Sequence, residues 1–220
     1  MKRPHTLREY QVILPWSNTK RLQFKMAYRL LIVVGAVLGH AACGGGAITI
    51  PTTASVVPSP TTWRGLIIAE ENRCAPYNSN DYNYSQAVED DIIVQLGDIY
   101  SPYTGECFAS KSETDIEHML ARSEAHDSGL CAADAATRRQ FSNDLDNLTL
   151  ASPSLNRYQK VAKDAADWLP INNQCWFATT IIEVRRKYSL TIDRREADAL
   201  DQVLATCATV VLNRSTCTGG

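Results

Sequence analysis

The sequence has no Cys-x-x-Cys pair, no His-Glu-x-x-His, no Gly-x-Ser-x-Gly and no Gly-x4-Gly-Lys-Ser/Thr. These absences exclude, in turn, a zinc knuckle, a zincin protease site, a hydrolase nucleophile elbow and a phosphate-cradling P-loop. No internal repeat is visible, which excludes a solenoid. Histidine is scarce. Of four, His5 and His40 precede residue 44, leaving His118 and His126 for any site further on. A basic surplus is also missing, since the formal net charge is -2. After Cys43 the balance is 15 basic against 23 acidic residues, or -8, which opposes non-specific binding to a polyanion.

What is present starts with a leader. Basic residues up to Arg29 precede the apolar run Leu30–Leu38, which is too short to span a bilayer, and small residues follow at Gly39, Ala41 and Ala42. Residues 1–43 therefore read as an export signal, with Met26 as a candidate true start. Cys43 sits like the lipidated cysteine of a bacterial lipoprotein, except that His40 replaces an apolar residue. Ordinary cleavage near Ala41 or Ala42 is the alternative. Residues 44–62 are rich in Gly, Thr, Ser and Pro and read as a flexible linker. Residues 63–220 form the globular domain, and a hydrophobic fraction of 45% is enough to give it a core. With Cys43 set aside, six cysteines remain, an even set that suggests disulfides in an exported domain.

Along that domain, 65–70 reads as a strand and 77–84 as a loop. Val88, Ile92 and Leu96 give 86–96 a helical spacing. Two short apolar runs follow, 115–120 and 147–151. A helix starts at Ser152-Pro153, with a capping residue and then a proline suited to the first turn. It should run to about Trp168, before Pro170. Helices over 173–188 and 193–208, joined by a short connection, should be antiparallel neighbours. Cys175 then faces Cys207, the favoured disulfide. The fold class expected is α+β, mostly helical, with a small ββα unit.

Phosphodiester hydrolysis needs a base for water and a cation for the phosphate. The segment 115–160 supplies such groups in order. Asp115 and Glu117 share one strand face and His118 takes the other, so a turn or bulge should follow Glu117. Asn147 opens the second run. Asn156 and Lys160 lie one helical turn apart, the first with a neutral oxygen for a metal, the second with a charge for a phosphate.

Asp115-Ile116-Glu117-His118, Asn147-Leu148-Thr149-Leu150 and Asn156-Arg157-x-x-Lys160 resemble the HNH nuclease pattern, including the HNH domains of RNA-guided CRISPR nucleases. With Ser123–Cys131 and Lys163–Trp168 added, the chain from Trp63 to Cys207 resembles exported proteins carrying the C-terminal domain of GmrSD-type restriction enzymes. The resemblance implies a metal-dependent DNA (or RNA) endonuclease. It makes His118 the general base, Asp115, Glu117 and Asn156 the metal ligands, Asn147 a group orienting the hairpin or His118, and Lys160 an electrostatic aid. Asn in place of a third-motif His makes the ligand set oxygen-rich, which favours Mg²⁺ or Mn²⁺ over Zn²⁺.

Plainer roles stand beside these. His126 either assists the site or orders its loop. Asn147 also begins a glycosylation sequon. Lys160 is equally a solvated helix lysine, and Asp164 is its expected partner. Arg185-Arg186-Lys187 and Arg194-Arg195 read as solvated faces that might otherwise follow a nucleic-acid backbone. The competing functional class is a non-catalytic exported or cell-surface binding module, supported by the acidic balance and a possible lipid anchor at Cys43.

Overall fold

The computed structural model describes residues 61–217. The leader, Met26, Cys43 and nearly all of the linker lie outside the described residues. The linker expected to reach residue 62 ends slightly earlier, because Thr62 is already in a strand.

Strands β1 (Thr62–Trp63) and β2 (Leu66–Ile67) pair antiparallel across Arg64-Gly65, both at positive φ. Two such residues in a two-residue loop match the twist of a hairpin. Only Leu66 and Ile67 of the expected strand 65–70 are in the pair. Helix α1 (Val88–Leu96) follows, with Val88, Ile92 and Leu96 buried as their spacing requires and Gly97 closing it at φ 87°. Strand β3 (Asp115–His118) leads through a tight turn into α2 (Arg122–Asp127) and α3 (Ala135–Ser142), then β4 (Leu148–Ala151).

Strands β3 and β4 are antiparallel, with Ile116 opposite Leu150, Glu117 opposite Thr149 and His118 opposite Leu148. Strand alternation sorts the two faces. Ile116, Leu148 and Leu150 pack with α1 and Tyr100, while Ala151 joins a larger core. That core gathers Phe177, Ile181 and Val184 of α4 (Gln174–Lys187) with Ala197, Leu200 and Val203 of α5 (Arg194–Leu204). Trp168 and Trp176 pack against it, as expected of core aromatics.

The helix expected from Ser152 to Trp168 is shorter. Leu155–Lys160 is wound with wide π turns, Val161 N–H donates to the Asn156 carbonyl five residues back, and Val161 leaves the helix at φ 55°. Asp164 Oδ1 instead accepts from the N–H groups of Ala166 and Asp167 and builds a separate turn. Helices α2 and α3 were not legible beforehand. They are short, and α3 (AATRRQFS) buries only Phe141 and Ser142.

Three disulfides hold the fold: Cys74–Cys131, Cys107–Cys217 and the expected Cys175–Cys207. The architecture is α+β, with short strand pairs among helices.

Candidate active site

Alternation along β3 carries Asp115 and Glu117 toward the π-wound helix. Asp115 meets Asn156 and Arg157 there, and Glu117 meets Lys160. No bulge interrupts the strand, which stays paired through His118. Even so, Glu117, His118 and Asn156 line one hollow of about 320 Å³ at its end, with Tyr84, Arg122 and Arg157.

His118 is buried. Its Nε2 lies 3.0 Å from the Ser142 carbonyl. A carbonyl only accepts, so Nε2 bears the proton and Nδ1 keeps its lone pair. Nδ1 has no protein hydrogen bond among the described residues. The ring meets Tyr84 edge-to-face at 5.2 Å and stacks near Phe141. Burial, and then the Arg122 charge, push His118 down to about 3, against the opposing bond to Ser142. The imidazole is therefore neutral throughout ordinary pH.

Glu117 and Lys160 are both buried. Lys160 Nζ lies 2.7 Å from Glu117 Oε1 and donates to the His118 carbonyl at 3.0 Å. Burial pushes the Glu117 carboxyl up, and Lys160 opposes that shift. The solvated-helix reading of Lys160 is thus wrong, because its charge is spent inside the fold. Its expected partner Asp164 faces Arg195 instead, at 3.6 Å.

Asp115 is also engaged. Arg157 grips it with Nη2 at 2.6 Å and Nε at 2.8 Å, and Asn156 Nδ2 donates to it at 3.1 Å. That geometry leaves the Asn156 amide oxygen toward other uses while both Asp115 oxygens are taken. Of the three carboxamide and carboxylate groups anticipated for a metal, Glu117 and Asn156 share the hollow with His118, and Asp115 stands at its Arg157 wall.

Asn147 is fully buried. Its Oδ1 accepts the Leu120 N–H at 2.8 Å and its Nδ2 donates to the Leu120 carbonyl at 3.0 Å, while its own carbonyl accepts from Met119 N–H. It clasps the turn directly after His118, a positioning role, and its burial removes it as a glycan acceptor. His126 has both nitrogens occupied. Nε2 lies 2.7 Å from the Ala75 carbonyl and Nδ1 2.7 Å from the Tyr82 hydroxyl. The loop-ordering role describes it.

The basic runs are not open faces. Arg185 is wholly buried between Glu124 and Glu196 and donates to Ser128 Oγ. Arg186 donates to the Arg64 carbonyl, Lys187 binds Asp144 and Asp146, Arg194 pairs with Asp198, and Arg195 pairs with Asp167. Sequence reasoning missed Tyr84 and Arg122. The Arg122 guanidinium lies 5.2 Å over the Tyr84 ring. Their spacing from His118, 34 residues in one case, carried no signal. Among the described residues one carboxylate trio, Glu71, Asp164 and Asp193, brings its oxygens within 4.8 Å of one another, and it is not the anticipated set.

Residues 66–203 match the family model of the C-terminal domain of GmrSD restriction endonucleases. The chain belongs to that family. An uncharacterized secreted protein of Arthroderma benhamiae is 32% identical over 123 residues, covering 54% of this chain and 60% of that protein. The match thus spans about 60% of that relative's length. No solved structure matches. The matched GmrSD span holds every candidate side chain from Asp115 to Lys160, and the secreted relative and three disulfides fit an exported protein.

Proposed function

We propose that this GmrSD-family domain is a metal-dependent endonuclease hydrolysing DNA, and perhaps-equivalent RNA linkages, with β3, β4 and the π-wound helix as an HNH-type ββα core. The observation that carries the reading is His118. It is neutral, its Nε2–H is fixed on Ser142, and its bare Nδ1 belongs to a hollow shared with Glu117 and Asn156.

The residues present fit a hard divalent cation. Glu117 is a buried carboxylate with one cation beside it, and Asn156 donates through nitrogen, which leaves its amide oxygen. Oxygen donors suit Mg²⁺ or Mn²⁺. When bound, such an ion supplies charge neutralisation at the scissile phosphate and the leaving 3′ oxygen.

The chain's own groups do the rest. His118 takes a proton from water at Nδ1, and the Ser142 carbonyl steadies the imidazolium that forms. A base held at about 3 is weak, but an arriving phosphate anion raises it toward a useful range. Asn147, through Leu120, fixes the turn that sets the ring. Lys160 acts indirectly by holding Glu117 and the His118 carbonyl. Export is part of this reading, with Cys43 as a lipid attachment point.

The oxidised full chain should nick supercoiled plasmid in Mg²⁺ or Mn²⁺ and not in EDTA. The acidic balance of -8 after residue 43 favours one other reading, the non-catalytic exported module. Metal-loaded, folded protein that cuts neither DNA nor RNA would establish that reading instead.

A further inference from the structure

The hollow around His118 continues into a second of about 620 Å³, and the two share a wall of Tyr84, Ile116, Asn156 and Arg157. Both volumes fall within the usual range for ligand sites, roughly 300–1,000 Å³. The rim is more apolar than a phosphate-tracking groove requires. Tyr77, Val161 and Ala162 line it, and Val161 is 51% exposed. Tyr158, next to Arg157 on the same helix, is 79% exposed. Asp115 first, and then the phenols of Tyr158 and Tyr84, hold the Arg157 guanidinium above its usual range, so both rings stand close to it.

The cations a duplex would need are committed elsewhere. Arg64, Arg73, Lys111, Lys187, Arg194 and Arg195 are each paired with an aspartate. Duplex DNA hides the faces of its bases and is held mainly through phosphates. An unpaired strand exposes base faces, and each base stacked on an aromatic ring contributes about 1–3 kcal/mol without a dense array of cations.

We propose that the groove takes unpaired, single-stranded nucleic acid, with a base stacked on Tyr158 and the backbone passing Arg157 and Arg122 toward His118. This rests on the nuclease reading only in taking the substrate to be a nucleic acid. Arg122 has no carboxylate partner among the described residues, and its one hydrogen bond there goes to the Tyr82 carbonyl, so it remains free to meet a phosphate. Tyr158 has no packing role to lose.

The test is fluorescence anisotropy of a labelled 20-mer, single-stranded or annealed to its complement, with the oxidised full chain in a His118→Ala background that prevents cleavage. The expected result is at least about tenfold tighter binding of the single strand, with Tyr158→Ala weakening it about 5–50-fold and Tyr158→Trp restoring it. Equal or tighter duplex binding overturns the proposal, as does Tyr158→Ala binding the single strand as well as its parent. If the single-strand preference holds but the His118-containing protein cuts neither form in Mg²⁺ or Mn²⁺, the nuclease reading falls and this one stands.

Discussion

Lys160 and Glu117 form a buried ion pair, ammonium to carboxylate oxygen at 2.7 Å, that ties the π-wound helix to β3 beneath His118. Both partners are almost wholly removed from water. Breaking such a pair from one side leaves an unpaired buried charge, a loss of about 3–5 kcal/mol. Lys160→Met should therefore lower stability by that order. The double variant Glu117→Gln, Lys160→Met should recover much of it, because no charge is then stranded. Urea unfolding of the three oxidised proteins checks this. A double variant no better than Lys160→Met would contradict the pairing.

Asn147 and Leu120 give a second prediction. Asn147→Ala strands the Leu120 N–H and carbonyl in a dry interior, at about 1–3 kcal/mol for each unsatisfied group. The turn after His118 loosens with them. Amide exchange should show lost protection at Leu120 while α5, remote from the turn, keeps its own. Unchanged protection at Leu120 would show that the clasp does not hold the turn.

Arg185 is the third. It is the charged group shared by Glu124 and Glu196. Burial pushes Glu196 up to about 7 even beside this guanidinium. Arg185→Met should cost about 3–5 kcal/mol at pH 8 and less at pH 5, where the two carboxyls protonate and no longer repel. Thermal unfolding at both pH values reads the difference. An equal loss at both would contradict the charge argument.

The fourth concerns pH and His118. Its folded value of about 3 lies below the ordinary 6.5. Below 6.5 the unfolded chain takes up a proton that the folded chain refuses until about 3. This contribution is complete above 6.5 and drains as pH falls, by about 1.4 kcal/mol per pH unit. Glu196, raised rather than lowered, works in the opposite sense between 4.5 and 7, so wild type alone is a poor readout. The stability gap between wild type and His118→Asn isolates the histidine. It should shrink steadily from pH 6.5 to pH 4. A constant gap would place the imidazole in a solvated setting.

Much of this was readable in the chain. Period-2 alternation put Asp115 and Glu117 on one face of β3, and the helical spacing of Val88, Ile92 and Leu96 gave α1. The antiparallel arrangement of the last two helices led to Cys175–Cys207. What escaped was burial of charge. Nothing local distinguishes Arg185, which is buried, from Arg186 beside it, because the difference lies in Glu124 and Glu196 from two other segments. Lys160 was misread for the same reason, since its partner sits 43 residues earlier. The early end of the π-wound helix was hidden too, because Val161 and Ala162 continue an apolar pattern that the backbone abandons.

The central claim turns on His118. The most direct measurement is metal-dependent cleavage of nucleic acid by oxidised wild type and His118→Ala, with all three disulfides and the folded circular dichroism spectrum verified in both. The account predicts that wild type cuts in Mg²⁺ or Mn²⁺ and that His118→Ala loses cleavage by at least about a hundredfold, the usual contribution of a general base. A folded His118→Ala protein cutting at the wild-type rate would contradict it.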